Sequence, residues 1–109
     1  MTWQAWCSEV TPRELEVDTT QEVTVGVYAE NRSSEPREIA VRVHIGELEM
    51  AELELGLVEG GDKAEGTVRV TVEPSADLAS ERIGVWLEDP ETGDHIRDCA
   101  LVDVLEPSE

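Results

Sequence analysis

The chain contains no phenylalanine, and aromatic residues make up only 4% of its 109 positions. Its large rings are the three tryptophans Trp3, Trp6 and Trp86, so the core must be mainly aliphatic. Hydrophobic residues still reach 39%, which is enough for a core and too many for a disordered tail. This composition and length predict one domain over residues 1–109, with a frayed tail at 106–109.

Positive charge is scarce. Eight Lys and Arg residues stand against 26 Asp and Glu residues, for a net charge of -18. Such a field repels nucleic-acid phosphates and anionic lipid heads, which argues against DNA, RNA and membrane-surface partners. The acidic surface is a well-solvated face or an adaptation to a salty environment, and the sequence leaves both interpretations open.

Long hydrophobic runs are absent as well. No stretch reaches the length of a transmembrane span, so membrane insertion is not expected. Residues 1–10 lack the basic region and apolar run of a signal peptide, which predicts a cytoplasmic protein or one assembled there into a particle. If Met1 was added to a domain excised from a secreted protein, a cell-surface location is the alternative.

The residue patterns of common enzymes are missing. There is no G-x-S-x-G elbow, and only His44 and His95 could serve as a histidine base. His95 and Cys99 are four residues apart, about 13 Å along a strand, too far to share a proton. Acidic pairs are so abundant that they indicate no specific dyad. We therefore expect a protein that is not an enzyme.

Cysteine is limited to Cys7 and Cys99, too few for a disulfide-rich scaffold or a cysteine-built zinc site. Cys7 precedes the first predicted strand and Cys99 lies in the last, and these strands are neighbours in many sandwiches. A disulfide is therefore one interpretation, and two separate buried thiols are the other.

What the chain does contain is a two-residue alternation of apolar and polar side chains. Val23, Val25 and Val27 show it, because alternate side chains of a strand point to opposite faces of a sheet. Short alternating segments between turn signals predict an all-β, seven-stranded antiparallel immunoglobulin-like β-sandwich. The predicted strands are residues 9–17, 22–31, 37–46, 47–57, 64–73, 82–88 and 95–105, with one helical turn between Pro74 and Ser80.

The segment 47–57 is rich in good helix formers, yet its leucines would scatter around a helix and form no apolar stripe. As a strand it places Leu48 and Met50 on one face. A bulge or bend at Ala51 would then bring Leu53, Leu55 and Leu57 onto one face. The pattern therefore predicts a strand.

Residues 23–74 carry a recognisable series of turns between strands. The segments that carry it are Ala29-Glu30-Asn31, Val41-Arg42-Val43-His44-Ile45-Gly46, Leu57-Val58-Glu59-Gly60-Gly61-Asp62 and the strand from Gly66 to Pro74. This series resembles CARDB-type immunoglobulin-like domains and, more loosely, fibronectin type III-like modules. The resemblance implies a non-catalytic adhesion, spacer or docking module, and similar sandwiches decorate phage capsids and tails. Unlike antibody-type domains, the chain has its cysteines on the outer strands.

Four carboxylates surround the predicted hairpin loop between the last two strands: Asp89, Glu91, Asp94 and Asp98. Calcium prefers several oxygen ligands, so this loop is a candidate calcium site, although its spacing is not that of an EF-hand. The alternative is a solvated acidic turn with no cofactor. The pattern Asn31-Arg32-Ser33 also matches a glycosylation acceptor in a loop expected to be exposed.

Aromatic residues give the strongest signal for a partner. Because Ile83, Val85 and Leu87 should face inward, Trp86 should face outward, where a tryptophan is a common interface hot spot. Trp3 and Trp6 must also cover something, either their own sandwich or a neighbouring subunit. The sequence therefore predicts a protein-binding structural module of a multi-subunit assembly, most simply a virion as a capsid decoration or tail-associated protein. A homo-oligomer stays open, and an adhesion or carbohydrate-binding module is the alternative.

Overall fold

The computed structural model describes residues 2–106, and within them it forms eight β-strands and one short 3-10 turn, Ala76–Leu78. The strands are β1 (Trp3–Thr11), β2 (Glu14–Glu16), β3 (Gln21–Asn31), β4 (Arg37–Ile45), β5 (Glu49–Val58), β6 (Lys63–Val72), β7 (Arg82–Glu88) and β8 (His95–Leu105). No helix among these residues is long and apolar enough to cross a membrane. Of the predicted frayed tail, residues 107–109 lie outside the described residues.

The strands form two sheets, one of three strands in the order β1-β3-β6 and one of five in the order β2-β8-β7-β4-β5. This all-β, two-sheet architecture confirms the predicted class and is consistent with a β-sandwich in which the five-stranded sheet is curled. The strand count is eight and not seven, and β2 pairs with β8 in parallel, so the predicted fully antiparallel arrangement is wrong at that edge.

The difference in count arises at the N-terminal end. The predicted first strand, 9–17, is in fact two strands in different sheets, separated at the cis Thr11–Pro12 bond. Proline cannot donate a ladder hydrogen bond, so pairing stops there and the chain crosses between sheets. Strand β1 also begins six residues earlier than predicted, because a register shift between Cys7 and Glu9 interrupts the alternation that marks a strand.

Strand β5 confirms the choice of strand over helix, but its irregularity lies elsewhere than predicted. Ala51, Leu53 and Leu55 follow one another on the inner face without a slip. The bulge lies at Leu55, because Ile39 pairs with Gly56 and Ala40 with Glu54, which leaves Leu55 without a partner in the register. Gly56 has φ = 79°, the left-handed conformation that such bulges need. Leu57 is consequently turned outward and is 64% exposed.

The core between the sheets is aliphatic, as the lack of phenylalanine predicts. Valines from β3 and β4 and Leu87 from β7 are completely buried. Along one side, Leu53 and Leu55 pack over Gly66 of β6, where there is no room for a Cβ. Along the other side, the Cys7 and Cys99 sulfurs are bonded and join β1 of one sheet to β8 of the other.

Candidate partner-binding surface

Trp86 lies on the outer face of the five-stranded sheet. Its neighbours in alternation, Ile83, Val85 and Leu87, are 8%, 1% and 0% exposed and form part of the core. Because strand side chains alternate, the indole of Trp86 stands on the opposite side, as the sequence predicts. The register places it beside His44 of β4 and opposite Asp98 of β8.

The indole is held between two imidazoles. The His44 ring lies parallel to it, with centroids 3.8 Å apart and an interplanar angle of 2°. The His95 ring covers the other side at 5.3 Å and 24°. Stacking of this kind adds to the burial energy and restricts the ring to one orientation. The sequence indicated neither contact, since His44 and His95 are 51 positions apart and meet Trp86 only through strand register.

A network of charged side chains fixes the stack from one side. The Glu88 carboxylate accepts hydrogen bonds from His44 Nε2 at 3.1 Å and from Arg42 Nη1 at 3.0 Å. Arg42 donates a further bond of 2.8 Å to Glu52. The His44 bond, with help from Arg42, holds the pKa of Glu88 below its ordinary value, and Glu52 and Glu88 raise the pKa of Arg42.

Apolar side chains flank the stack. Met50 pairs with His44 across β4 and β5, and 58% of it is exposed. Leu101 of β8 is 57% exposed and pairs with Gly84, two positions before Trp86 on β7. A Cβ on Gly84 would find no atom within 4 Å, so the space above Gly84, beside Trp86 and Leu101, is open. We call Met50, His44, Gly84, Trp86, His95 and Leu101 the Trp86 surface.

Trp6 lies on the outer face of the other sheet. Its ring stacks on Tyr28 at 5.2 Å, and the guanidinium groups of Arg97 and Arg32 lie 5.1 and 5.5 Å from its centroid. Arg97 also donates a 3.1 Å hydrogen bond to the Ala5 carbonyl across the seam between the sheets. These contacts occupy the indole with partners from the same chain.

Trp3, predicted as a partner-binding residue, is 7% exposed and belongs to the core. Strand β1 starts at this residue, and strand alternation places its side chain on the same inward face as that of Ala5. Only its rim reaches the surface, where it lines a cleft of about 690 Å³ with Arg37 and Asp89 at one end of the molecule.

Three of the four candidate calcium ligands, Asp89, Glu91 and Asp94, line one cleft, and Asp98 is not part of it. Asp89 is 8% exposed, and its Oδ1 accepts the Glu91 backbone N–H at 2.9 Å, as in an ordinary acidic turn. Asp98 lies on β8, where its Oδ1 is 3.1 Å from His95 Nε2. Within residues 2–106 no group of three or more His, Cys, Asp or Glu residues has the geometry to hold a metal ion. The described residues therefore do not form the predicted calcium site.

Asn31 is also placed differently from its prediction. It is completely buried, and its Nδ2 donates to the Glu35 and Val58 carbonyls, each at 2.8 Å. Its Oδ1 accepts from the Ser33 backbone and hydroxyl. The expected exposed glycosylation acceptor is thus a buried amide that holds the β3–β4 loop in place.

Comparison with known proteins identifies structures with a similar fold but shows no family for the chain. No protein-family model matches the chain, and no curated protein matches it in sequence. Its fold is similar to part of the alkylpurine DNA glycosylase AlkC of Pseudomonas fluorescens, with a TM-score of 0.67 at 11% identity over 95% of this chain and 30% of that one. It is similar to part of a β-glucosidase from Listeria innocua, with a TM-score of 0.64 at 12% identity over 98% of this chain and 16% of that one.

One structure with a similar fold is a separate whole domain. A CARDB domain from Pyrococcus furiosus, solved in complex with di-metal ions, matches with a TM-score of 0.54 at 16% identity over 96% of this chain and 94% of that one. At these identities the similarity concerns the fold alone. The chain spans less than a third of the glycosylase and of the glucosidase, so it corresponds to one domain of each.

Proposed function

We propose that the chain is a non-catalytic docking module of a larger assembly, and that the Trp86 surface is where it binds a protein partner. The observation that carries this proposal is the fixed indole beside exposed apolar side chains. A tryptophan held in one orientation loses little conformational freedom on binding, and Met50 and Leu101 extend the apolar area around it.

The fold supports a role as a part of something larger. Domains similar to this chain make up 30% and 16% of two much longer proteins. The setting we propose is an assembled particle such as a virion, in which the chain would be a capsid decoration or a tail-associated protein. With a net charge of -18, its outer surface would keep like particles dispersed by repulsion.

The experiment uses the position of methionine in this chain. Its two methionines are Met1 and Met50, so a photoreactive methionine analogue incorporated throughout labels the Trp86 surface at Met50. We expect irradiation in the native source to cross-link a partner protein through Met50, in a fixed ratio to the chain. The Met50→Leu variant, in which only Met1 carries the label, should lose that product.

Trp86→Ala should reduce the Met50 cross-link about tenfold or more, the effect expected for a hot-spot residue. Tyr28→Ala is the matched control, because it removes an outward ring from the other sheet. An equal yield from the wild type and Trp86→Ala would overturn the proposed surface. Recovery of capsid or tail proteins would support the particle setting, whereas envelope proteins would move the chain to the cell surface.

A second candidate function is carbohydrate binding, as an adhesion module. The cleft beside Trp3 favours it, because its volume of about 690 Å³ is within the usual range for small-ligand sites and carboxylates line it. Saturation-transfer NMR with a panel of glycans tests this candidate. Transfer that Glu54→Gln and Glu91→Gln abolish would support it, and no transfer from any glycan would remove it.

A further inference from the structure

The Trp86 surface carries an excess of negative charge. Outward positions on β4, β5, β7 and β8 surround the rings with carboxylates, against only two guanidinium groups, Arg42 and Arg82. The carboxylates are Glu38, Glu52, Glu54, Glu88, Asp98 and Asp103. A partner with the opposite charge would be attracted to this face and oriented on it.

Both guanidinium groups on this face are already paired within the chain. Arg42 lies 2.8 Å from Glu52 and 3.0 Å from Glu88, and Arg82 lies 3.2 Å from Asp103. An anionic partner would have to displace these pairs. By contrast, the described residues provide no ion-pair partner for Glu38 or Glu54, and the Asp98 side chain is 86% exposed. The charged side chains on this face that have no ion-pair partner among the described residues are therefore carboxylates.

The same face has room for one apolar side chain of a partner. Gly84 lies at an outward position of β7 and carries no side chain, and a Cβ placed on it would meet no atom within 4 Å. Leu101 borders Gly84 on β8, and Trp86 follows it along β7. An aliphatic group placed over Gly84 would contact the indole and the leucine together and would be removed from water.

We infer, resting on the proposed docking function, that the partner presents a basic segment to the Trp86 surface. An apolar side chain of that segment sits over Gly84 between Trp86 and Leu101. Arginine or lysine residues on either side of it pair with the surrounding carboxylates, such as Asp98, which is 86% exposed, and Glu54, which is exposed and has no ion-pair partner among the described residues. The apolar contact provides the anchor, and the charges set the orientation of the segment.

A peptide of alternating arginine and leucine is the probe, and a peptide of alternating glutamate and leucine is its counterpart. Binding of each is followed by two-dimensional NMR of the labelled chain. We expect the basic peptide to shift the Trp86 indole signal and the Gly84 and Leu101 amides, and to spare the Trp6 indole on the other sheet. Raising the salt from about 0.02 M to about 0.5 M should weaken its binding at least about tenfold, because the ion pairs are screened.

The Gly84→Val variant tests the apolar contact over Gly84 separately from general charge attraction. A Cβ at this position meets no atom within 4 Å and valine is favoured in strands, so the fold should be kept, and the side chain occupies the space above Gly84. We expect the affinity for the basic peptide to fall about tenfold, the loss typical of one well-placed apolar contact. Thr67→Val, which places the same side chain at an exposed position on the outer face of the other sheet, is the control for an added apolar surface and should bind as the wild type does.

Two results would overturn the inference. One is that Gly84→Val and the wild type bind the basic peptide with equal affinity and show signal shifts over the whole molecule. The peptide would then be attracted only by the net charge of the chain. The other is tighter binding of the acidic peptide. If cross-linking through Met50 still requires Trp86 while the basic peptide fails in either way, the docking function stands and only the partner's chemistry is wrong.

Discussion

The rings of His44 and Trp86 lie face to face across β4 and β7, parallel to within 2° and with their centroids 3.8 Å apart. This contact determines what Trp86 can offer a partner. Because both His44 and His95 stack on the indole, the ring is restricted to one orientation. A partner would therefore meet a preformed contact surface.

Removing the parallel imidazole should loosen the indole. We expect His44→Ala to lower the free energy of unfolding by about 1 kcal/mol, the usual value of an aromatic pair beyond its buried area. Denaturation by urea measures this loss, and near-ultraviolet circular dichroism reports the looser ring. His95→Ala removes the more distant, tilted imidazole and should cost less. A greater loss from His95→Ala would contradict the assigned stack.

Acid should destabilise the fold partly through Glu88. The hydrogen bond from His44, then that from Arg42, lowers the pKa of Glu88 below its ordinary value of 4.5. A carboxyl with a lowered pKa stabilises the folded state above that ordinary value, and the stabilisation is lost as the pH falls through the lower, folded-state pKa. Glu88→Gln should therefore reduce the fall in unfolding free energy below pH 4.5.

The measurement is a series of urea titrations across the acid range. Glu65→Gln, an exposed change on the other sheet, provides the control and should follow the wild-type curve. A Glu88→Gln curve parallel to that of the wild type over the whole range would show that these bonds do not contribute.

Opening the Cys7–Cys99 bond should reduce stability considerably. The bond joins residues 92 positions apart, and on the chain-entropy model a closed loop of this size contributes about 4–5 kcal/mol. The Cys7→Ser/Cys99→Ser variant should lose this amount in urea denaturation, and so should the reduced wild type. Reductant should not affect the double variant. A loss below about 1 kcal/mol would contradict the model in which the bond constrains the unfolded chain.

The buried amide of Asn31 should be sensitive to small changes. Asn31→Ala leaves the Val58 carbonyl and the Ser33 groups without their partner, so we expect a loss of about 2–4 kcal/mol in unfolding free energy. Ser33→Ala removes one hydroxyl contact of the same group and should cost about 1 kcal/mol. Equal losses from the two variants would mean that the amide is not the centre of this network.

The alternation of apolar residues was sufficient to predict most strands, and two of them, β7 and β8, have the predicted bounds. Alternation reports which residues face inward, and that is a local property. The prediction failed where the alternation is interrupted, at the register shift after Cys7 and at Gly56. A bulge reverses which face of the sheet the following side chains occupy, and the composition of the segment gives no sign of it. The parallel pairing of β2 with β8 was not predictable either, because a strand of three residues is too short to show which strand it pairs with.

The candidate surface was predictable only in part. The outward position of Trp86 followed from Ile83, Val85 and Leu87, all of which lie in one strand. Its contacts with His44, His95 and Leu101 depend on the register of three strands, and single-strand patterns do not determine register between distant segments. Trp3 was misplaced because the sequence did not indicate that β1 begins there.

The bond between β1 and β8 also determines how tension would travel through the domain. A pull on the two ends of the described chain enters near residue 2 and reaches Cys7 after a few residues, where the covalent bond passes it directly to Cys99. The polypeptide between the two cysteines, with nearly all of both sheets, lies outside that path. While the bond is intact the domain would act as a short inextensible link, and after reduction the same pull would be borne by hydrogen bonds between strands.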